Sequence, residues 1–213
     1  MKNTMSLALL AVLSLAAPAL AETRFSIGAE SRDMTVTLFG MDASETVPGV
    51  YLAYESDNDN GFETRSRVFY SNKNDIDYLE SNVELSWKWR DIVGPKVAYT
   101  GAAIDGDGEE VYLAGLTAAR RIGTVELRTD LLSDVENFGD QAYIALGAEW
   151  DVTEKFTLGA EVAQLTSTDI SSARLTASYH LTENIFVEMD YARSQPSGEI
   201  DYSIASVGLG WRF

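Results

Sequence analysis

The chain has 213 residues, with 33 acidic and 16 basic side chains, a formal net charge of −17 at pH 7, one histidine and no cysteine. Such acidity excludes a nucleic-acid surface, which needs a basic stripe, and the absence of cysteine excludes a disulfide scaffold. With 46% hydrophobic residues, four Trp, ten Tyr and eight Phe, the composition is not that of a disordered chain either.

Residues 1–21 carry one cation, Lys2, an apolar run from Leu7 to Leu15 and a small-residue exit at Ala19-Leu20-Ala21. This is the pattern of a secretory signal peptide cut before Glu22. The run is shorter than the roughly 20 apolar residues a transmembrane helix needs, and no later segment reaches that length. The expected organisation is therefore a leader over 1–21 and one exported domain over 22–213. An exported chain without cysteine must satisfy its backbone by other means, and closing a β-barrel does so.

From Phe25 onward the sequence alternates with the two-residue period of a strand that has one oily and one wet face. Phe25, Ile27 and Ala29 alternate with Ser26, Gly28 and Glu30; Met34, Val36 and Leu38 alternate with Thr35, Thr37 and Phe39. The parity flips across Ser31-Arg32-Asp33, so 24–40 is either one strand with a one-residue bulge or two strands in a tight hairpin. A loop through Pro48 leads to 49–55, with Val50, Leu52 and Tyr54 on one face. Asp57-Asn58-Asp59-Asn60-Gly61 is a turn by composition. In 62–70, Phe62, Thr64, Ser66, Val68 and Tyr70 face one way, and Glu63, Arg65 and Arg67 the other.

Strand 78–90 is the clearest internal case. Leu79, Val83, Leu85, Trp87 and Trp89 share a face with Ser81; Glu80, Asn82, Glu84, Ser86, Lys88 and Arg90 share the other. The alternation weakens at 96–103 and 111–120, where both faces carry Ala and Gly. It returns at 124–131, with Glu126, Arg128 and Asp130 on the wet side, and at 141–151, with Tyr143, Gly147 and Glu149. Glu161 marks the wet side of 156–164, Arg174 and His180 that of 172–180, and Phe186, Glu188 and Asp190 that of 185–194.

The last stretch, 201–213, places Ala205, Val207, Leu209, Trp211 and Phe213 on one face, with Ile204, Ser206, Gly208, Gly210 and Arg212 on the other. A soluble sandwich could show this alternation too. Aromatics at the ends of oily faces, namely Trp87, Trp89, Trp150, Tyr179, Trp211 and Phe213, fit the interfacial belt of a membrane barrel. Short connections (Asp91–Gly94, Arg121–Gly123, Val152–Lys155, Leu181–Asn184) alternate with longer acidic ones (Ser71–Asp77, Asp105–Glu109, Ser133–Asp140, Leu165–Ser171, Gln195–Glu199). The expectation is an all-β fold, a closed antiparallel transmembrane β-barrel of about 12 strands with short turns on one rim and longer loops on the other; about ten or fourteen strands fit the same spacing.

Leader, alternating strands, acidic turns and the Trp211-Arg212-Phe213 ending together resemble a Gram-negative outer-membrane β-barrel protein over the whole chain, and the final strand is similar to the C-terminal assembly signal of that class. The Asp-Gly-rich loops and the run Gly94-Pro95-Lys96-Val97-Ala98-Tyr99 are faintly similar to the small YfaZ-type barrels. The resemblance implies export to the cell outer membrane, contact with outer-membrane lipid, and recognition by the barrel assembly machinery through the C-terminal strand.

Charge at mid-membrane on the lipid face would cost about 2–4 kcal/mol for each Arg or Lys. Arg65, Arg67, Glu80, Glu84, Lys88, Arg90, Glu126, Arg128, Asp130, Glu149, Glu161, Arg174, Glu188 and Asp190 are therefore expected to line the lumen. There they either border a water-filled pore or pair off and close it. A barrel of about eight strands is filled by side chains and one of about 16–18 leaves a channel, so about 12 decides neither.

The lone His180 lies beside a short turn without a neighbouring Ser, a poor start for a hydrolase site. Asp105-Gly106-Asp107-Gly108-Glu109-Glu110 and Asp57-Asn58-Asp59 space carboxylates as calcium loops do, but lack the Gly and the final Glu of an EF-hand. Solvated turn residues are the plainer reading and weak divalent-cation binding the sharper one; no resident metal or cofactor is expected. Three functions follow in order: a passive porin-like channel with a mixed-charge, net acidic lumen favouring cations; a closed structural or surface-binding barrel acting through acidic extracellular loops; and, disfavoured by His180, an enzyme.

Overall fold

A computed structural model describes residues 22–38, 40–57, 61–90, 92–136, 142–166, 170–197 and 200–213, and in it the alternating stretches form one closed ring of twelve antiparallel strands. They are β1 (Glu22–Leu38), β2 (Met41–Asp57), β3 (Phe62–Lys73), β4 (Ile76–Trp87), β5 (Val93–Ile104), β6 (Asp107–Ile122), β7 (Val125–Asp134), β8 (Ala142–Thr153), β9 (Phe156–Leu165), β10 (Ile170–His180), β11 (Ile185–Ser197) and β12 (Ile200–Arg212). Each pairs with its neighbours in sequence, and β12 returns to pair with β1. The expected leader over 1–21 and Asn58-Asp59-Asn60 of the Asp57–Gly61 turn lie outside the described residues.

The β1–β12 seam runs from Ser26 opposite Arg212 to Leu38 opposite Ile200 without a register shift. Just outside it, the Phe213 N–H donates to the Phe25 carbonyl at 3.0 Å, the Phe25 N–H donates back at 3.3 Å, and the two rings lie nearly parallel 6.4 Å apart. A ring closed this way has no free sheet edge, which is what permits strands to cross a bilayer.

Alternation becomes a choice between lipid and lumen. Ile27, Leu127, Leu131, Leu146, Val162, Leu175, Met189, Val207 and Leu209 all point outward and stay about half exposed. The aromatics at one end of this band, Trp87, Trp89, Trp150, Tyr179, Trp211 and Phe213, are exposed at the rim where β1 begins and β12 ends. Tyr70, Tyr112 and Tyr191 face outward nearer the opposite, distal rim. On β4, Trp87 lies eight residues from Leu79, the partner of Tyr70. That is roughly 27 Å along the strand and about 20 Å along the axis at a tilt of ~40°, comparable to the ~25 Å apolar band of outer-membrane barrels.

Several expectations need correction. Residues 24–40 form neither a bulged strand nor two strands, because β1 pairs with β12 and β2 in unbroken register. Met34 belongs to the same inward face as Glu30 and Arg32 and packs on the interior aromatic cluster. The outward face meanwhile turns polar at Ser31, Asp33, Thr35 and Thr37, where the hairpin rises beyond the apolar band. Pro48 is not in a loop: it sits within β2, where the ladder to β3 has stopped at Val50–Tyr70, so its missing N–H is not needed. Strand 78–90 ends at Trp87, and Trp89 bridges Val93 inside the turn.

The longer acidic loops are also revised. Residues 71–77 and 105–109 continue as strands into two-residue turns, Asn74-Asp75 (φ 55° and 65°) and Asp105-Gly106 (φ 51° and 85°). Left-handed backbone at both central positions matches the twist of the flanking strands. Acidic residues looked like loops there because both faces of a hairpin above the bilayer are wet.

Inside the ring, Tyr51, Phe69 and Phe186 are almost fully buried around Val47. Glycines in the wall provide the space: a Cβ at Gly210 would run into the Tyr51 hydroxyl and the Phe186 ring, and one at Gly49 into the Phe69 ring. We expect Gly210→Val to lower unfolding stability by about 1–3 kcal/mol. Gly147→Ala, whose nearest contact would be an ordinary 3.7 Å, should leave it unchanged; urea unfolding of the protein refolded in lipid vesicles compares the two.

Candidate functional site

The site is the lumen, and its chemistry follows from inward parity around the ring. On the side of β1–β4 and β11, Arg32 donates through Nε to Glu30 at 2.8 Å and through Nη1 to Glu80 at 2.6 Å. Its guanidinium lies 3.7 Å above the Phe69 ring. Arg67 donates through Nη2 to Glu30 and Glu188, both at 2.5 Å, and stacks 4.0 Å above Tyr51. The Arg67–Glu188 contact joins β3 to β11 and so spans a chord of the ring that bypasses β2, β1 and β12. Tyr78 and Asn82 donate to the same Glu80 carboxylate at 2.9 and 3.0 Å. Weakly hydrated, planar Arg suits such a place because it stacks on aromatics while its fork bonds carboxylates.

A second network links β4, β5, β6, β7 and β9. Lys96 bridges Glu84 and Asp130, both at 2.8 Å, and the Thr117 hydroxyl donates to Asp130 at 2.6 Å. Arg128 reaches Glu161 at 3.2 Å and Asp130 at 3.6 Å. Lys88 pairs with Glu63 at 2.5 Å, and Arg174 with Asp190 at 2.5 Å. Where Glu63, Arg65, Lys96, Thr117 and Arg128 meet, only about 10 Å³ is left, room for no more than a single water.

Along β7–β10 the lumen is different. Gly147, Gly159 and Thr176 present little bulk, and a cavity of about 210 Å³ opens among Arg65, Glu126, Arg128, Glu149, Glu161 and Arg174. Arg65 enters it from β3, across the interior. The lumen is thus divided into a half filled by aromatics and ion pairs and a half left clear.

Of the residues expected in the lumen, Arg90 is the exception. It occupies the turn after β4 with φ 53°, its guanidinium 5.3 Å from the Trp89 ring. The other thirteen lie on inward faces, and Glu30, Arg32, Glu63 and Lys96 join them. Glu30 and Glu63 share the wet parity of their strands and were legible. Arg32 was hidden by the apparent parity flip, and Lys96 by a strand with small residues on both faces.

The ring of His180 packs against Phe186 at 5.8 Å, and the charges acting on it are the cations Arg212 and Arg24. A catalytic histidine needs a carboxylate or similar group to orient it, and these neighbours do not supply one. In the acidic turns, the Asp105 carboxylate accepts the Asp77 N–H at 2.9 Å. Among the described residues no group of three or more His, Cys, Asp or Glu is arranged to hold a metal ion.

No protein-family model matches the chain, and no curated protein sequence matches it. Solved structures share its architecture. It is similar to the KdgM porin in complex with disordered oligogalacturonate (13% identity over 88% of this chain and 99% of that one, TM-score 0.55). It is equally similar to the COG4313 outer membrane channel from Pseudomonas putida F1 (13% identity, 92% and 97% coverage, TM-score 0.55). The translocator domain of the autotransporter NalP from Neisseria meningitidis matches over 100% of this chain and 96% of that domain (13% identity, TM-score 0.53). The chain has the fold of an outer-membrane β-barrel. These neighbours are a porin, a channel and a translocator domain rather than enzymes.

Removing one member of a buried ion network leaves its partners uncompensated. Arg32→Met, which strips Glu30 and Glu80 of a shared guanidinium, should destabilise the barrel by about 3–5 kcal/mol. Adding Glu30→Gln should recover part of that loss, as read by urea unfolding in vesicles.

Proposed function

We propose that the protein is a passive channel of the outer membrane and that solute passes off-centre, along the β7–β10 wall. The observation that carries this reading is the clear half of the lumen, a cavity of about 210 Å³ bounded by ionised side chains. A barrel selected only to be closed would fill that space with side chains, as Tyr51, Phe69 and Phe186 fill the other half. Inward carboxylates outnumber inward cations, and the distal rim adds Asp75, Asp77, Asp105, Asp107, Glu109 and Glu110. Such a field concentrates cations and repels polyanions, unlike a pore for acidic oligosaccharides of the kind bound by the KdgM porin. The barrel sits in outer-membrane lipid and presents its C-terminal strand to the assembly machinery. Divalent cations bridging the acidic hairpin tips would be weakly held. The reading assigns no chemistry to His180.

The Arg67–Glu188 chord favours a second reading, a closed barrel whose work lies at the acidic hairpin tips. Planar-bilayer recordings separate the two. A channel gives discrete conductance steps, reduced at least about twofold by Gly147→Trp, which fills the cavity. Glu149→Lys shifts the reversal potential in a salt gradient toward anions. Silence at all voltages, with correctly folded protein inserted, supports the closed barrel.

A further inference from the structure

Most lumen charges are neutralised within the chain. Arg32, Arg67, Lys88, Lys96, Arg128 and Arg174 each contact at least one carboxylate. Some groups are treated differently. Arg65, Glu126 and Glu149 make no ion pair or side-chain hydrogen bond to another described residue, and all three line the same 210 Å³ cavity.

Glu126 and Glu149 sit directly opposite one another on β7 and β8, where like charges repel. Arg65 lies close enough to Glu149 to act on it through space but stops short of contact. Elsewhere in the same lumen a cation stands between carboxylates, as Lys96 does between Glu84 and Asp130. Two facing carboxylates with no cation in contact repel one another, and these groups, with the opposing guanidinium, border the cavity of about 210 Å³.

We propose that the cavity is a binding site for a small zwitterion of the amino-acid class. The ligand's ammonium group lies between Glu126 and Glu149, and its carboxylate meets the Arg65 fork, a geometry in which guanidinium and carboxylate bond in pairs. Gly147 provides the room. A volume of about 210 Å³ falls below the ~300–1,000 Å³ of sites for drug-sized ligands, so the occupant is a single small molecule rather than an oligomer. A lone cation would answer the carboxylates and leave Arg65 only to its register neighbours Glu55 and Glu84, and a lone anion would do the reverse; a ligand with both charges engages all three residues at once. The proposal rests on the channel reading and names the solute class of the same route.

Isothermal titration of the detergent-purified barrel tests it with L-glutamine, using propionate and propylammonium as half-ligands. Glutamine binds saturably, and each half-ligand binds at least about tenfold more weakly, as loss of a charged hydrogen-bonding pair implies. Arg65→Gln and the double variant Glu126→Gln/Glu149→Gln each weaken glutamine by a similar factor, with folding checked by heat-dependent gel mobility. No saturable binding to the unaltered protein overturns the proposal. So does propylammonium binding equal to that of glutamine together with an indifferent Arg65→Gln, the signature of a simple cation site. The half-ligand comparison needs no variant and stands even if one misfolds. Conductance without glutamine binding removes the site and leaves the channel; binding without conductance removes the channel and leaves the site.

Discussion

Pairing between the first and last strands governs everything else in this protein. A bilayer offers no water to unpaired peptide groups, so a spanning sheet must close on itself or leave a row of donors and acceptors bare. Here β12 meets β1 in continuous register and the exchange of hydrogen bonds between Phe25 and Phe213 extends the seam to the rim. Once the ring is shut, each strand has only two environments to offer its side chains. The two-residue period then sorts the chain: Leu146 and Val162 to lipid, Glu149 and Glu161 to the interior.

The interior is not uniform. Where glycine faces aromatic, as Gly210 faces Tyr51 and Phe186, the ring can pack inside the barrel and serve as a floor for guanidinium groups. Arg32 and Arg67 stack on such floors and tie together carboxylates from β1, β4 and β11. Where glycine faces nothing bulky, as at Gly147, space is left. The same residue type thus makes a filled half and a clear half, and the difference lies in its neighbours.

Much of this was legible in the sequence. Alternating runs between turns put the strand count at about twelve, with about ten or fourteen still open, and parity pointed the carboxylates inward and the tryptophans outward, because period two is the strongest signal a half-wet strand can give. Parity misled where the environment changed along one strand. β1 leaves the apolar band near Ser31, so Met34 inside and Thr35 outside look like a slipped register although none occurs. Lys96 was missed because Ala and Gly on both faces of β5 erase the contrast. Arg90 was misplaced because a strand's last wet position and a turn's first look alike in sequence. Which charges pair across the lumen, such as Arg67 with Glu188, depends on ring closure and has no local signature.

The central claim is that adjacent residues of one strand face opposite solvents, and the natural absence of cysteine makes it directly measurable. Single cysteines placed in turn at positions 144 to 149 of β8, in vesicle-inserted protein, can be probed with a small charged thiol reagent. The account predicts that 147 and 149 react from the water-filled interior, while 144, 146 and 148 are protected by lipid and 145 by the side chains packed over it. Uniform reactivity along the strand, or reaction confined to the even positions, would contradict it.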